Sequence, residues 1–245
     1  MNRIADLKIK IFADGADLDG IAALAGNPLI AGFTTNPSLM RKAGVTDYEV
    51  FARKVLWVAS GRPVSFEVFA DDFSGMIEQA RTIATWGPNA IVKIPVTNTE
   101  GRFTGEVLRT LSSDGVPLNI TAVFTHHQIQ AIADVLDQNT QAIISVFAGR
   151  IADTGIDPVS FMEMARWSLR CRTKLKLLWA STRELFNIFQ AEQCGCDIIT
   201  VTPDILAKLH LIGKDLAEYS RETVVEFHRN ATAQFQIEAA PLAAE

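Results

Sequence analysis

The chain has 245 residues, of which 48% are hydrophobic and 21% are charged, and its formal net charge is −5. This composition is typical of a globular protein with a large core, and an acidic balance without a basic block argues against a nucleic-acid partner. No apolar run approaches the length needed to span a bilayer, and the first residues lack the apolar segment of a signal peptide. We therefore expect a cytoplasmic protein with no membrane partner.

The three cysteines are Cys171, Cys194 and Cys196. An odd and sparse set of this kind does not form a disulfide framework, and the Cys-Gly-Cys segment lacks the further ligands of a zinc site. We expect reduced thiols and predict no metal site.

Short apolar segments that alternate with helical periodicity run through the whole chain. The predicted strands are 8–13, 29–33, 64–69, 90–96, 117–123, 142–147, 175–180 and 197–201. The predicted helices are 17–26, 48–60, 73–86, 101–114, 126–136, 158–172, 181–193 and 214–235, with shorter ones that start at Pro37 and Pro203. Asp17, Asn36 and Ser181 are the predicted N-caps of the helices that follow them.

Eight strands alternating with helices through short connections predict an α/β protein, a single (β/α)₈ TIM barrel with an additional C-terminal helix. The barrel is expected to cover 1–236, and the small and polar tail over 237–245 is expected to be disordered. A doubly wound open sheet is the alternative, because strand order cannot be read from one sequence. The lack of a glycine-rich phosphate-binding turn after the first strand argues against that alternative.

One lysine, Lys93, interrupts an apolar and β-branched segment that reads as a strand buried on both faces. Lysine is rarely buried without a reason, and a buried amine is driven towards its neutral, nucleophilic form. The alternative is a lysine at a strand end that reaches solvent or pairs with a carboxylate.

Polar residues recur at or near the carboxyl ends of the predicted strands, where barrel enzymes place their active sites. In chain order they are Asp14, Thr34, Thr35, Asn36, Glu67, Lys93, Asn119, Thr121, Ser145, Arg150, Ser181, Arg183, Thr200 and Thr202. Asn36, Ser181 and Thr202 have an alternative role as helix caps. A carboxylate such as Glu67 within an apolar strand needs a partner, and one shared site explains all these residues more simply than separate roles.

A lysine inside a barrel, with an aspartate and a glutamate nearby, suits Schiff-base chemistry. The amine adds to a ketone, water leaves, and the iminium accepts the electrons of a breaking carbon–carbon bond. The carboxylates supply the proton transfers. We predict no cofactor, because the iminium stabilises the carbanion.

Five motifs in order at the strand ends resemble those of the transaldolase family, class I Schiff-base enzymes with a (β/α)₈ barrel. They are Thr34-Thr35-Asn36-Pro37-Ser38, Val92-Lys93-Ile94-Pro95, Asn119-Ile120-Thr121, Ser145-Val146-Phe147-Ala148-Gly149-Arg150-Ile151 and Ala180-Ser181-Thr182-Arg183. The resemblance runs from about Ile9 to Phe235 and so covers nearly the whole chain.

The resemblance implies three catalytic roles, carried by four residues. Lys93 resembles the Schiff-base lysine, and Asp14 the acid/base that takes the proton of the C4 hydroxyl as the C3–C4 bond breaks. Glu67, with Thr121 and a water molecule, resembles the relay for carbinolamine formation and dehydration.

The resemblance also implies a set of substrate-binding residues. Asn36 and Asn119, with Ser145 beside them, resemble the residues that hold the dihydroxyacetone unit, and Arg150, Ser181 and Arg183 resemble the phosphate clamp. Thr35 and Phe147 are the other predicted substrate-binding residues. Two arginines suit a phosphate dianion, because each guanidinium can bind it bidentately.

Glu67 and Phe147 distinguish two branches of the resembled family. Transaldolases carry Glu and Phe at these positions, whereas fructose-6-phosphate aldolases carry Gln and Tyr. The resemblance therefore implies transfer of dihydroxyacetone from a ketose phosphate, fructose 6-phosphate or sedoheptulose 7-phosphate, to an aldose phosphate. An aldolase of the fructose-6-phosphate type, an enzyme for a non-standard ketose, and a sugar-phosphate-binding protein without activity are the alternatives.

The short length resembles the small transaldolase subfamily, whose members form homo-oligomers, pentamers or decamers. The helix predicted at 214–235 is expected to reach a neighbouring subunit or to pack on its own barrel.

Overall fold

The computed structural model of the protein describes residue 4 and residues 7–234. Leu7–Leu209 is one compact unit, which contains eight strands, and the described C-terminal helix belongs to a second unit. The predicted bounds of the barrel, 1–236, stay a prediction, and the predicted tail over 237–245 lies outside the described residues.

The strands are parallel and form a closed barrel in chain order, with β8 paired to β1. They are β1 (Lys10–Asp14), β2 (Ile30–Thr34), β3 (Val64–Glu67), β4 (Ala90–Pro95), β5 (Leu118–Val123), β6 (Ala142–Val146), β7 (Leu175–Trp179) and β8 (Ile198–Val201). Closure in this order excludes the doubly wound open sheet.

Helices follow each strand. They are α1 (Leu18–Ala25), α2 (Pro37–Lys42), α3 (Tyr48–Val58), α4 (Phe73–Ala84), α5 (Gly105–Ser113), α6 (His126–Val135), α7 (Ala148–Asp153), α8 (Pro158–Ser168), α9 (Asn187–Gln193), α10 (Pro203–Leu206) and α11 (Leu216–Gln234), with a 3₁₀ turn at Leu209–Leu211. The architecture confirms the predicted TIM barrel with an additional C-terminal helix. None of the helices in the described part of the chain combines the length and hydrophobicity needed to cross a lipid bilayer.

The helix caps follow from short polar side chains ahead of apolar stripes. The Asp17 carboxylate accepts from the backbone N–H of Gly20, and the Asn36 side chain accepts from that of Leu39. Both confirm predicted N-caps. Thr125 and Gln128 add a full capping box to α6.

The core has two parts, as expected for a barrel. The larger lies between the strands and the surrounding helices and includes Phe66, Val92 and Leu177. The smaller lies in the barrel interior and consists of Phe12, Ile143, Leu178, Ala180 and Ile198. These five residues form an apolar plug inside the barrel.

Some predicted elements differ from those in the structure. Strand β3 ends at Glu67 rather than at Phe69, because the N–H groups of Phe69 and Ala70 donate to the Gln79 side chain and not to a neighbouring strand. Helix α7 was not predicted and begins directly after β6.

Ser181 does not cap a helix, because α9 begins only at Asn187. Ser181 has a φ of 63°, in the left-handed region that is uncommon for residues other than glycine. The prediction that Ser181 caps the helix over 181–193 is therefore wrong.

Gly32 on β2 allows the Phe12 ring to fill the barrel, because a Cβ at Gly32 would lie 2.6 Å from the Phe12 Cζ. We expect Gly32→Ala to lower the free energy of unfolding by about 1–3 kcal/mol, measured by urea denaturation. Phe12→Leu in the same chain should recover part of the loss. Gly26→Ala is the matched control, since a Cβ there makes only an ordinary contact. Equal stability of the two alanine variants would contradict this account of the plug.

Candidate active site

Lys93 lies within β4 and is only 7% exposed. Its Nζ donates to the backbone carbonyl of Thr35 at 2.9 Å and lies 3.2 Å from Glu67 Oε2. The amine therefore does not reach solvent, and the alternative of a lysine at a strand end that snorkels is wrong. The other half of that alternative is borne out, because the lysine does pair with a carboxylate.

The barrel register explains why Glu67 meets Lys93. The two residues are direct partners in the parallel ladder between β3 and β4, so their side chains point to the same face. Lys93 is in turn paired with Asn119 on β5. Three consecutive strands thus direct polar side chains into one layer of the barrel interior.

Asp14 ends β1 and faces the same space. Its Oδ1 accepts a hydrogen bond of 2.8 Å from the Thr34 hydroxyl, and the Asn36 Nδ2 lies 3.5 Å from its Oδ2. Burial raises the pKa of Asp14, while the positive charge of Lys93 and the Thr34 hydrogen bond oppose that rise and the charge of Glu67 adds to it. A carboxyl with a raised pKa beside a buried amine is suited to proton exchange.

Asn36 caps a helix, as predicted, and also contacts Asp14. Its Oδ1 caps α2, and its Nδ2 points to Asp14. Because the cap fixes the amide, the orientation of Nδ2 towards the site follows from the start of the helix.

A second polar group lies beside the amine. The Ser145 hydroxyl donates to Asn119 Oδ1 at 2.6 Å, and Asn119 Nδ2 donates to the Ser65 hydroxyl at 3.1 Å. All three residues are buried. The two bonds fix which end of the Asn119 amide faces which strand.

Thr35 and Thr121 are also buried. The Thr35 hydroxyl donates to the Ser65 backbone carbonyl, so this residue contributes its carbonyl, rather than its hydroxyl, to Lys93. Thr121 on β5 is paired with Pro95, two residues beyond Lys93. This register places Thr121 on the same face as the amine, one layer nearer the open end.

The strand-six motif continues from β6 into α7. The Phe147 ring packs against the Phe124 ring with centroids 5.5 Å apart, and the Arg150 guanidinium lies 5.2 Å from the centre of the Phe147 ring. Arg150 is exposed and is available to an anion from solvent.

Arg183 lies on the neighbouring loop and pairs with Asp153 at the end of α7. Its Nε donates to Asp153 Oδ1 at 3.2 Å, and a second guanidinium nitrogen contacts Oδ2. The Arg183 guanidinium is therefore paired with a carboxylate through two nitrogens, the geometry in which it could also bind a phosphate. The Arg183 side chain lies against Gly149, the residue before Arg150, since a Cβ at Gly149 would lie 3.1 Å from Arg183 Cγ. The joint phosphate role of the two arginines stays a prediction.

Gly149 permits the close contact between α7 and the loop of Ser181. A Cβ at Gly149 would lie 1.6 Å from the Ser181 carbonyl oxygen. The Gly149 N–H donates to the carbonyl of Ala180. Any other residue at this position would separate Arg150 from the loop that carries Ser181 and Arg183.

Several residues at the site were not among the predicted site residues. They are Ser65, Asp153, and Tyr48, whose hydroxyl donates to the Glu67 backbone carbonyl at 3.1 Å. Thr34 and Thr200 were named among the polar residues at the strand ends, but their mutual contact was not predicted. A signal existed for Ser65, which lies two residues before Glu67 and so on the same face of β3. No sequence pattern indicates the partners of Tyr48 and Asp153.

Several proteins of known sequence are similar to this chain. A protein of Thermoplasma acidophilum named probable transaldolase is 35% identical over 204 residues, which cover 82% of this chain and 87% of the relative. One of Methanococcus maripaludis with the same name is 32% identical over 223 residues, 88% of this chain and 99% of the relative. A third, from Nitrosopumilus maritimus, is 32% identical over 203 residues, 82% and 87% of the two chains.

Solved structures share the fold. A 2,3-dimethylmalate lyase has a TM-score of 0.56 at 12% identity, covering 97% of this chain and 89% of its own. Orotidine 5′-monophosphate decarboxylase of Metallosphaera sedula has a TM-score of 0.54 at 14% identity, with coverage of 86% and 98%. At such low sequence identity, these similarities support only the fold.

A family model described as transaldolase/fructose-6-phosphate aldolase matches residues 11–245. That range contains every strand-end motif described above. Together with relatives above 30% identity, the match shows that the chain belongs to the transaldolase/fructose-6-phosphate aldolase family and is an enzyme of that family.

Proposed function

We propose that the protein transfers a dihydroxyacetone unit from a ketose phosphate, fructose 6-phosphate or sedoheptulose 7-phosphate, to an aldose phosphate such as erythrose 4-phosphate. The observation that carries this proposal is the buried amine of Lys93, held between the Glu67 carboxylate and the Thr35 carbonyl with Asp14 facing the same space. The family and its named relatives support the same chemistry.

Formation of the Schiff base begins at Lys93. Glu67 lies 3.2 Å from Nζ and takes a proton from the ammonium, which leaves a nucleophilic amine. The amine adds to the C2 carbonyl of the ketose. A second proton then passes from the nitrogen to the former carbonyl oxygen, which gives the carbinolamine. Glu67, with Thr121 nearby, returns the first proton to that hydroxyl, which leaves as water, and the iminium forms.

Cleavage of the C3–C4 bond needs a base on the other side of the site. Ionised Asp14 takes the proton of the C4 hydroxyl, the C3–C4 electron pair moves into the iminium, and the aldose phosphate leaves. An enamine of the three-carbon unit remains on Lys93. Transfer to the acceptor aldehyde reverses these steps, with Asp14 now the acid.

The remaining predicted residues hold the substrate. Asn36 and the hydrogen-bonded pair of Asn119 and Ser145 offer fixed polar groups to the hydroxyls of the dihydroxyacetone unit. Arg150 and Ser181 lie at the open end, and Arg183 exchanges its Asp153 partner for the phosphate.

Phe147 favours transfer over release of free dihydroxyacetone. Its ring packs against Phe124 and offers no hydroxyl to position water at the enamine. The alternative function is an aldolase that releases dihydroxyacetone, or a transaldolase-like enzyme for a non-standard ketose.

Acceptor dependence separates these functions. Fructose 6-phosphate is incubated with the enzyme with and without erythrose 4-phosphate, and glyceraldehyde 3-phosphate is measured. The proposal requires that sustained release depends on the acceptor. Equal rates without acceptor would establish the aldolase instead, and binding without turnover would establish a sugar-phosphate-binding protein.

The phosphate role of the arginines gives a further prediction. We expect Arg150→Ala and Arg183→Ala each to raise KM for fructose 6-phosphate about 10- to 100-fold, the value of a charge-assisted hydrogen bond. Trapping of unphosphorylated dihydroxyacetone on Lys93 should change little, because that substrate has no phosphate.

Arg81→Ala is the matched control for Arg183→Ala. Arg81 is also an exposed arginine paired with an aspartate, Asp114, but it lies on α4 outside the barrel. If Arg81→Ala raised KM equally, or if both substrates were affected alike, the phosphate role would be refuted.

We also propose that the protein works in the cytoplasm as a homo-oligomer, a pentamer or decamer, as its likeness to small transaldolases implies. Helix α11 supports an intersubunit role, because Leu216, Val224 and Phe227 are large apolar side chains exposed to solvent. Sedimentation of the full chain measures the subunit number.

A further inference from the structure

Two threonine hydroxyls lie in line behind the Asp14 carboxylate. The Thr34 Oγ1 is 2.8 Å from Asp14 Oδ1 and 2.5 Å from the Thr200 Oγ1. Thr34 is 4% exposed and Thr200 is 7% exposed, so water does not compete freely for these bonds. Neither threonine is needed for the steps of the proposed function, on which this inference rests.

Counting protons gives the chain of hydroxyls a direction. Each hydroxyl has one proton to donate, and an ionised carboxylate can only accept. Thr34 therefore donates to Asp14, and its oxygen accepts the proton of Thr200. Successive hydrogen bonds polarise each other, so the donation from Thr200 strengthens the bond that Thr34 makes to the carboxylate.

Three adjacent strands hold this arrangement. Strand β1 pairs with β2, where Asp14 is opposite Thr34, and with β8, where Phe12 is opposite Thr200. The backbone carbonyl of Thr200 also accepts a hydrogen bond of 2.7 Å from the Thr182 hydroxyl. The hydroxyls are thus fixed by the ladder of the barrel and not by flexible loops.

The two threonine hydroxyls act on only one oxygen of the Asp14 carboxylate, through the hydrogen bond of Thr34. Oδ1 accepts from Thr34, whereas Oδ2 has the long 3.5 Å contact with Asn36. When Oδ2 takes a proton, Oδ1 becomes the carbonyl oxygen of a carboxylic acid and still accepts from Thr34. Both protonation states are therefore compatible with the same hydroxyl directions.

We propose that Thr200 is a positioning residue that acts through Thr34, holding Oδ1 of Asp14 so that Oδ2 is the oxygen that exchanges a proton with the C4 hydroxyl. The proton moves from that hydroxyl to Oδ2 as the C3–C4 bond breaks, and it returns from Oδ2 when the acceptor adds. Thr200 itself touches no reacting atom.

The charged groups around Asp14 determine how loss of Thr200 changes its titration. Lys93 and Glu67 act on it from β4 and β3, and Asp17, Lys42 and Asp204 line the adjacent cleft. These charges stay in place when Thr200 becomes valine. The weakened Thr34 bond then stabilises the carboxylate less, so the pKa of Asp14 rises and activity is lost at a higher pH as the solution is acidified.

The test compares Thr200→Val, which removes the hydroxyl at constant shape, with Thr200→Ser, which keeps it. Thr200→Val should lower kcat for transfer about 10-fold through poorer orientation. The acid limb of the pH profile should move up by about half a pH unit. Borohydride trapping of the Lys93 adduct should stay at the parental rate, because Schiff-base formation does not use Asp14. Thr200→Ser should resemble the parent.

Non-additivity gives a second readout. Because Thr200 acts through Thr34, the double variant Thr34→Val/Thr200→Val should be no slower than Thr34→Val alone. Thr104→Val is the matched control. It also removes a buried hydroxyl, one bonded to the Val96 carbonyl, and should leave the pH profile unchanged.

A ¹³C NMR titration of the Asp14 carboxyl measures the effect of Thr200 on Asp14 without turnover. Thr200→Val should raise its midpoint, and an unchanged midpoint with unchanged kcat overturns the proposal. The proposal is also overturned if the losses of kcat are additive in the double variant. It is overturned as well if Thr200→Val slows borohydride trapping as much as it lowers kcat. An inactive parent whose midpoint still responds to Thr200→Val would refute the proposed function and leave the positioning role standing.

Discussion

Replacing Lys93 with methionine is expected to lower the rate of dihydroxyacetone transfer by about 10⁴-fold or more, as loss of a covalent nucleophile does in other enzymes. Methionine matches the length of the lysine stem and suits the buried position within β4. It cannot add to a carbonyl. Steady-state transfer from fructose 6-phosphate to erythrose 4-phosphate measures the loss.

The control is a second lysine on a barrel strand. Lys176 lies on β7, pairs with Asp197 and is half exposed, so Lys176→Met should keep parental activity. Lys93→Arg retains a positive charge for Glu67 and separates loss of the nucleophile from loss of the ion pair. Transfer by Lys93→Met within tenfold of the parent would exclude a covalent role for this residue.

Replacing Asp14 with asparagine should give a different defect. Transfer is expected to fall by about 10²- to 10⁴-fold, because the base for the C4 hydroxyl is gone. The Schiff base with fructose 6-phosphate should still form and be trapped by borohydride as an uncleaved sugar adduct. Glu67→Gln is the contrast, since it should slow formation of the adduct itself. If both variants trapped sugar equally slowly, the division of labour between the two carboxylates would be wrong.

The raised pKa of Asp14 fixes the sign of two pH effects. Its ionised form is the base, so cleavage falls as pH drops through this raised pKa, and that limb should vanish from the residual activity of Asp14→Asn. The folded state also holds the proton more tightly than the unfolded state. Asp14 therefore makes folding less favourable as pH rises towards and through its raised pKa, and at neutral pH its ionised form costs stability. Asp14→Asn should consequently melt no lower than the parent at neutral pH, and a clear drop in Tm would contradict this assignment.

Much of the barrel could be predicted because its local signals agree. Apolar segments of strand length alternate with helical periodicity, and Asp17 and Asn36 mark helix starts that the structure confirms. Eight strands with short connections predicted a closed barrel, but a doubly wound open sheet stayed as the alternative, because strand order depends on contacts between distant segments. Helix α7 was missed since it follows β6 without a polar linker, and Ser181 was misassigned because its φ is positive and the helix begins only at Asn187.

Lys93 and Glu67 could be predicted to share a site for a physical reason that the two threonines lack. Lys93 and Glu67 stand out because charged side chains in apolar strands need partners. Thr34 and Thr200 could be placed among the polar residues at the strand ends, but threonine is an ordinary β-former, so no role could be predicted for their hydroxyls. Their meeting depends on the register of β1 with both β2 and β8, which only the folded barrel provides.

The covalent role of Lys93 is tested most directly by peptide mass spectrometry after borohydride reduction in the presence of fructose 6-phosphate. The account predicts that the reduced three-carbon unit, left after cleavage, is attached to the peptide that contains Lys93 and to no other. A modified peptide elsewhere in the chain, or turnover without any trapped adduct, would contradict it.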